Sequence, residues 1–235
     1  MIKAAVFDLD NTLYDYDDAH AAAFSALCGY AARELDMSRE EFARMHADTL
    51  RELAAEMGEV AATHNRMIRY QRILEKRGLP LSPHLVRMTS AYWDTFLSAA
   101  VPYESAAPLL ALLRERGVRT GVCTNMTHRM QVLKMEKMGF LPLVDFVVSS
   151  EEAGCEKPLA GIFGLSIRKA GCAPDECLFI GDSPKHDIAG ALAAGMRAAC
   201  LVMPGKRAAG VGETGVPVIT DLMQAADLIF DPGDK

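Results

Sequence analysis

The sequence predicts an α/β fold: a doubly wound parallel sheet with a four-helix unit inserted after its first strand. Three observations predict it. Short apolar runs alternate with helical stretches that stop at glycine, one long early segment has helical periodicity without a strand, and the first apolar run ends in a pair of aspartates.

Ala4-Ala5-Val6-Phe7 is too short for a helix and reads as a buried strand. Strand side chains alternate, so Asp8 and Asp10 project to one side and Leu9 points back to the core. Two like charges that close repel unless a cation or a shared proton stabilises them. An isolated Asp-x-Asp more often marks a solvated turn, so the pair needs support from elsewhere in the chain.

From about Tyr14 to about Phe96 apolar residues recur at helix spacing: Phe24, Leu27, Cys28, Ala31, Leu35; then Phe42, Met45, Leu50, Leu53, Met57; then Met67, Tyr70, Leu74; then Leu85, Met88, Tyr92, Phe96. Breaks fall at Asp36-Met37-Ser38, at Gly58 and at Gly78-Leu79-Pro80, with Ser38 and Ser82 as candidate caps. From Pro108 the pattern changes. Helices over 109–116, 127–138, 162–170 and 187–194 each stop at a glycine, and strands follow over 119–124, 144–148, 177–181 and 198–202. Helix-glycine-strand order repeated this way implies parallel crossovers. Residues 1–14 with 98–235 are assigned to the strand-bearing core, and residues 15–97 to the helical unit.

Half of the 235 residues are hydrophobic, ample for a core. No stretch approaches the ~20 apolar residues of a membrane helix, and the N-terminus enters a strand pattern at once, so a cytoplasmic protein is expected. Six scattered cysteines with no Cys-x-x-Cys pair predict neither disulfides nor a zinc site. A net charge of -6 without a run of Lys or Arg argues against a nucleic-acid or anionic-membrane partner. The expected partner is a small molecule, and monomer and homodimer both remain open.

Ligands of doubly wound sheets bind at the carboxyl ends of the strands. Those ends carry Asp8 and Asp10, then Thr124-Asn125, then Lys157-Pro158, then Gly181-Asp182-Ser183 with Asp187 just beyond. Each has a plain structural explanation: Thr124 as a buried strand-end hydroxyl, Lys157 as a surface lysine before a turn, Asp187 as a carboxylate favoured at a helix start. Together they supply a nucleophile, further carboxylates, a hydroxyl and a permanent cation. That set suits phosphoryl transfer, which asks for positioning and charge neutralisation, and Mg²⁺ prefers a few carboxylates with water and phosphate.

The same residues resemble the four motifs of the haloacid dehalogenase superfamily: Asp8-Leu9-Asp10-Asn11-Thr12, Thr124, Lys157, and Gly181-Asp182-Ser183 through Asp187. The resemblance implies a Rossmann-like core with a helical cap of the family's first type, which closes over the site and selects substrate. It implies that Asp8 attacks phosphorus to form an aspartyl phosphate, and that Asp10 acts as acid and then base, a role that needs a raised pKa in the substrate-bound site. Mg²⁺ is then held by Asp8, the Asp10 main-chain carbonyl and Asp182, with Asp187 behind them. Thr124 and the amides around Leu9 and Asn125 bind phosphoryl oxygens, and Lys157 offsets their charge. His186 replaces a frequent Asn, Leu159-Ala160 a frequent Asp-Pro, and Asn11 a frequent Gly. Asp10 is absent from the dehalogenases of the superfamily, which disfavours carbon–halogen cleavage. The expectation is a Mg²⁺-dependent phosphatase for a nucleoside monophosphate or sugar phosphate. A phosphosugar mutase and a non-catalytic phosphometabolite-binding protein are the alternatives.

Other signals are weaker. Gly210 to Gly215 matches the dinucleotide fingerprint in letters, but strand-like residues follow it where a helix is needed. His20 lies where mutase relatives use a hinge histidine, although a structural role suits it as well. The cluster His64, Arg66, Arg69 and Arg72 reads mainly as a solvated helix face, with one or two side chains available to grip a substrate anion. Met126, Met130, Met135 and Met138 read as core filling.

Overall fold

The computed structural model describes residues 1–206, 210, 212 and 215–230. Its contacts divide the chain into two compact units, Met1–Asp15 with Pro102–Lys235, and Tyr16–Val101.

The first unit is built on six parallel strands: β1 (Ala4–Phe7), β2 (Arg119–Thr124), β3 (Phe146–Ser149), β4 (Cys177–Gly181), β5 (Arg197–Leu201) and β6 (Val218–Ile219). Their order is β3-β2-β1-β4-β5-β6, so the chain winds outward on one side of β1 and then returns to its other side. The order reverses between β1 and β4, where such sheets hold ligands. Every residue of β1 and β4 is buried, as expected for parallel strands covered on both faces. One face presents Val6, Cys123, Val148 and Phe179 to α8 (Ala160–Ala170), through Ile162 and Phe163. The intervening residues, Phe7, Val122 and Ile180, are equally buried. Helix α5 (Ala106–Glu115) also packs on β2. Space in the first layer is tight: a Cβ on Gly121 would lie 2.2 Å from the Phe146 ring.

Two elements depart furthest from expectation. Residues Leu141–Leu143 form a 3₁₀ turn, which delays β3 to Phe146, while the Asp145 carboxylate accepts the Thr120 amide at 2.8 Å. The helix expected over 187–194 is a π-helical turn, Pro184–Ile188, followed by a short α9 (Ala189–Ala193). Both the Asp187 and Ile188 amides reach the Ser183 carbonyl, which widens that turn. Part of the glycine-rich run 210–215 lies outside the described residues.

The second unit is helical: α1 (Tyr16–Glu34), α2 (Arg39–Met57), a 3₁₀ turn (Ala61–His64), α3 (Arg66–Lys76) and α4 (His84–Ala99). Ser38 caps α2 by accepting the Glu41 amide at 3.1 Å. Ser82 caps nothing, because Pro83 holds the N-cap position of α4. The buried face of α2 is Phe42, His46, Thr49 and Leu53, so Met45 and Leu50 sit only half-buried beside it. Among the described residues no helix is long and apolar enough to cross a membrane.

Candidate active site

Asp8 follows β1 directly and is buried, its amide donating to the Ile180 carbonyl at 2.9 Å. The chain then doubles back, with the Leu9 carbonyl accepting the amides of Thr12 and Leu13. Thr12 Oγ1 donates to Asp8 Oδ2 at 3.4 Å. Asn11 takes φ 62°, a left-handed conformation that asparagine tolerates better than most residues.

Lys157 reaches the same point from the far side of the sheet's chain path. Its buried Nζ lies 2.5 Å from Asp8 Oδ1 and 2.7 Å from Asp187 Oδ1. Burial opposes its charge, but Asp187 and Asp8 outweigh burial and hold the ammonium form. The main chain at Lys157 is fixed by Asn125, whose Oδ1 accepts the Lys157 amide at 2.8 Å. His186 Nδ1 lies 3.1 Å from the Lys157 carbonyl, so His186 also supports this loop.

Asp182 and Asp187 follow β4, and carboxylate oxygens of Asp8, Asp182 and Asp187 lie within 4.8 Å of one another. Gly181 makes this possible, since a Cβ there would stand 2.4 Å from Asp187 Oδ2. Asp187 is held at both oxygens, by Lys157 and by the Ser183 amide at 3.0 Å. Burial and the neighbouring Asp187 charge push the Asp182 carboxyl up to about 7, against the pull of Lys157. Asp8 is raised well above its usual range by burial, offset in part by Lys157 and reinforced by the other aspartates. Three carboxyl groups crowd round the Lys157 ammonium group. Its all-oxygen, carboxylate donor set fits a hard divalent cation such as Mg²⁺.

Asp10 stands apart from this cluster. Its carboxylate receives both-oxygen contacts from Lys134 Nζ at 2.9 and 3.0 Å, the Tyr14 hydroxyl at 2.5 Å and a long contact from Gln131 at 3.5 Å. Burial works to raise its pKa, but Lys134, Tyr14 and Gln131 together hold it below the usual carboxylate range. The sequence reading asks for a raised value in the substrate-bound site; in this structure the buried lysine holds the carboxyl down. Lys134 and Gln131 lie on α6 (His128–Lys137), and sequence reasoning missed both. The available signal was their spacing, which puts them on the helix face that also buries Met135 and Met138.

Thr124 closes β2, fully buried, and its hydroxyl accepts Gln131 Nε2 at 2.6 Å while facing the Asn125 carbonyl at 3.3 Å. Met126 follows with φ 114°, a strained value for a long side chain, and its amide donates to Ser150 Oγ at 2.8 Å. Met126, Met135 and Met138 are buried, and Met130 is half-buried.

In the helical unit His20 Nδ1 lies 2.7 Å from the Tyr92 hydroxyl, and its ring stacks on Tyr16. Of the basic cluster, Arg72 pairs with Glu56, His64 is half-buried, and Arg66 and Arg69 are buried. The solvated face expected for that cluster therefore does not hold for Arg66 and Arg69.

Known proteins resemble this chain in sequence and in fold. The chain matches the model of the haloacid dehalogenase-like hydrolase family over residues 2–195. It is 36% identical over 199 residues to a ribulose-1,5-bisphosphate 5-phosphatase of Halopiger xanaduensis, covering 83% of each chain. It is 35% identical over 201 residues to a glyceraldehyde 3-phosphate phosphatase of Methanopyrus kandleri, covering 83% of this chain and 82% of that one. A solved HAD phosphatase of Thermococcus onnurineus superposes with a TM-score of 0.72 over 97% of this chain and 98% of its own, at 23% identity, which speaks to the fold. With the family model spanning most of the chain and strand ends arranged as described, this protein belongs to the haloacid dehalogenase-like hydrolases and is an enzyme of that family.

Proposed function

We propose that this enzyme is a Mg²⁺-dependent phosphatase that hydrolyses a small phosphorylated sugar metabolite through an aspartyl phosphate on Asp8. The observation that carries the reading is the buried Lys157 Nζ set between Asp8 and Asp187, with Asp182 beside them. The relatives named for ribulose-1,5-bisphosphate and glyceraldehyde 3-phosphate support a sugar phosphate over the nucleotide alternative. We read the helical residues 15–97 as the part that selects substrate.

In this reading an Asp8 oxygen attacks phosphorus, the bond from phosphorus to the substrate oxygen breaks, and Asp10 gives that oxygen its proton. Asp10 then takes a proton from water, the water oxygen attacks phosphorus, and Asp8 is released with inorganic phosphate. The acid step needs Asp10 protonated, and so needs it to loosen from Lys134. An arriving phosphoryl dianion favours that change, because a second negative charge raises the Asp10 pKa. Thr124 and the amides around Leu9 and Asn125 bind the phosphoryl oxygens, and Lys157 offsets their charge. Asp8, Asp182 and the Asp10 main-chain carbonyl would hold Mg²⁺, with Asp187 behind them, and the cation supplies further neutralisation at phosphorus.

Phosphate release from a panel of sugar phosphates, phosphoglycolate and nucleoside monophosphates, with Mg²⁺ or EDTA, tests the reading. Turnover should need Mg²⁺ and fall by at least about a thousandfold in Asp8→Asn, which keeps the shape and removes the nucleophile. No phosphate from any member, or equal turnover in Asp8→Asn, would overturn it.

A further inference from the structure

We propose that the helical unit carries an anion-binding site of its own, built on Arg66 and Arg69 with Tyr70, that takes a phosphoryl or carboxylate group. Both arginines lie in the first two turns of α3, three residues apart and so on one face. They are 7% and 6% exposed. Further along, Arg72, Lys76 and Arg77 pair with Glu56, Glu52 and Glu41. Among the described residues Arg66 and Arg69 have no such partner: besides burial, which opposes their charge, the groups acting on them are tyrosines and, for Arg69, Arg66. Buried charges in proteins are paired or engaged with a ligand, and two buried like charges ask for an anion.

The contacts leave specific atoms open. The Arg66 guanidinium lies 4.3 Å from the Tyr92 ring centre and 4.6 Å from that of Trp93, and it donates to the Tyr16 hydroxyl at 2.7 Å. The rings stabilise its charge but accept no in-plane hydrogen bond from Nε. Arg69 Nη1 lies 3.3 Å from His46 Nε2. Arginine only donates, so His46 accepts there as a neutral imidazole. Burial, together with Arg69 and Arg66, pushes the His46 pKa down to about 3, so this histidine adds no competing positive charge. Arg66 Nε, Arg69 Nε and the Tyr70 hydroxyl are buried without a hydrogen-bond partner among the described residues. Two guanidinium groups that each keep one donor open, beside an open hydroxyl, match an oxyanion, which offers several acceptors at once. The anion is a free small molecule that carries a phosphoryl or carboxylate group.

Wild-type crystals soaked in sodium tungstate, a phosphate analogue located by its anomalous signal, test the site. A tungsten atom within hydrogen-bonding reach of Arg66 and Arg69, lost in Arg69→Gln, is the expected result. Tungsten beside Lys157 and Thr124 with none at the arginines overturns the site. Tungsten at the arginines alone supports it while counting against the phosphatase reading. The wild-type soak does not depend on the variant folding.

Discussion

Asp10 and Asp8 are two residues apart, yet their surroundings drive them in opposite directions. Asp8 is raised by burial and shares Lys157 with Asp187, whereas Asp10 has Lys134 and is lowered. Lys134→Met removes the charge from a fully buried position of similar volume. The Asp10 pKa should then rise, so the limb of the pH–rate profile that needs its carboxylate should move to higher pH. Turnover should fall by about tenfold or more, because Asp10 loses the side chain that positions it. A profile that does not move would show that Lys134 leaves Asp10 unaffected during turnover. The Asp-x-Asp pair was legible in the sequence because strand alternation is local. The lysine was not, since it comes 124 residues later, on a helix whose buried face only packing reveals.

At the scale of elements, the turn after β4 decides how the acidic cluster is held. The π-helical turn brings Asp187 back over Gly181, close enough that only a residue without a Cβ fits. Gly181→Ala should push the Asp187 carboxylate off Lys157 and the Ser183 amide while β4 remains paired with its neighbours. Turnover should fall by at least about tenfold with an unchanged circular dichroism spectrum, because a charge-assisted bond to Lys157 is lost. Full activity in this variant would show that the Asp187 position is not needed. The strand and the glycine were both readable from the sequence. The wide turn was not, because the choice between an α and a π turn rests on which amides reach the Ser183 carbonyl.

At the scale of the whole molecule, charge sets how stability responds to solution conditions. A cation that binds the folded acidic cluster and not the unfolded chain stabilises by about 2.7 kcal/mol at a hundred times its Kd, which is about 5–10 °C in Tm for a chain of this size. Mg²⁺ should therefore raise the Tm of the wild type. Asp182→Asn, which removes one repelling carboxylate, should raise the Tm in EDTA and abolish the Mg²⁺ response. A variant that responds like wild type would remove Asp182 from the metal set. Acid should act through His46, buried beside Arg69 and held far below the ordinary histidine value of 6.5. Between about pH 6.5 and about pH 3 the unfolded chain binds a proton there and the folded one does not. Stability must fall as pH drops through that window, by up to about 1.4 kcal/mol per pH unit for this group. His46→Gln should flatten the dependence of urea unfolding on pH from 6.5 to 5, and an unchanged slope would assign the acid sensitivity to other groups.

By itself the sequence determined the order of elements, the sheet class and the strand ends where Asp8, Thr124, Lys157, Asp182 and Asp187 lie. These follow from periodicity, glycine stops and alternation, which act over a few residues. Only the tertiary structure decided which of those side chains meet. Lys157 contacts Asp8 across 149 residues, Gln131 and Lys134 turn to Asp10, and Arg66 and Arg69 are buried although their helix reads as a solvated basic face. The reason is physical: a polar side chain enters a protein interior only when a distant partner or ligand offsets its desolvation, and local pattern carries no record of that partner.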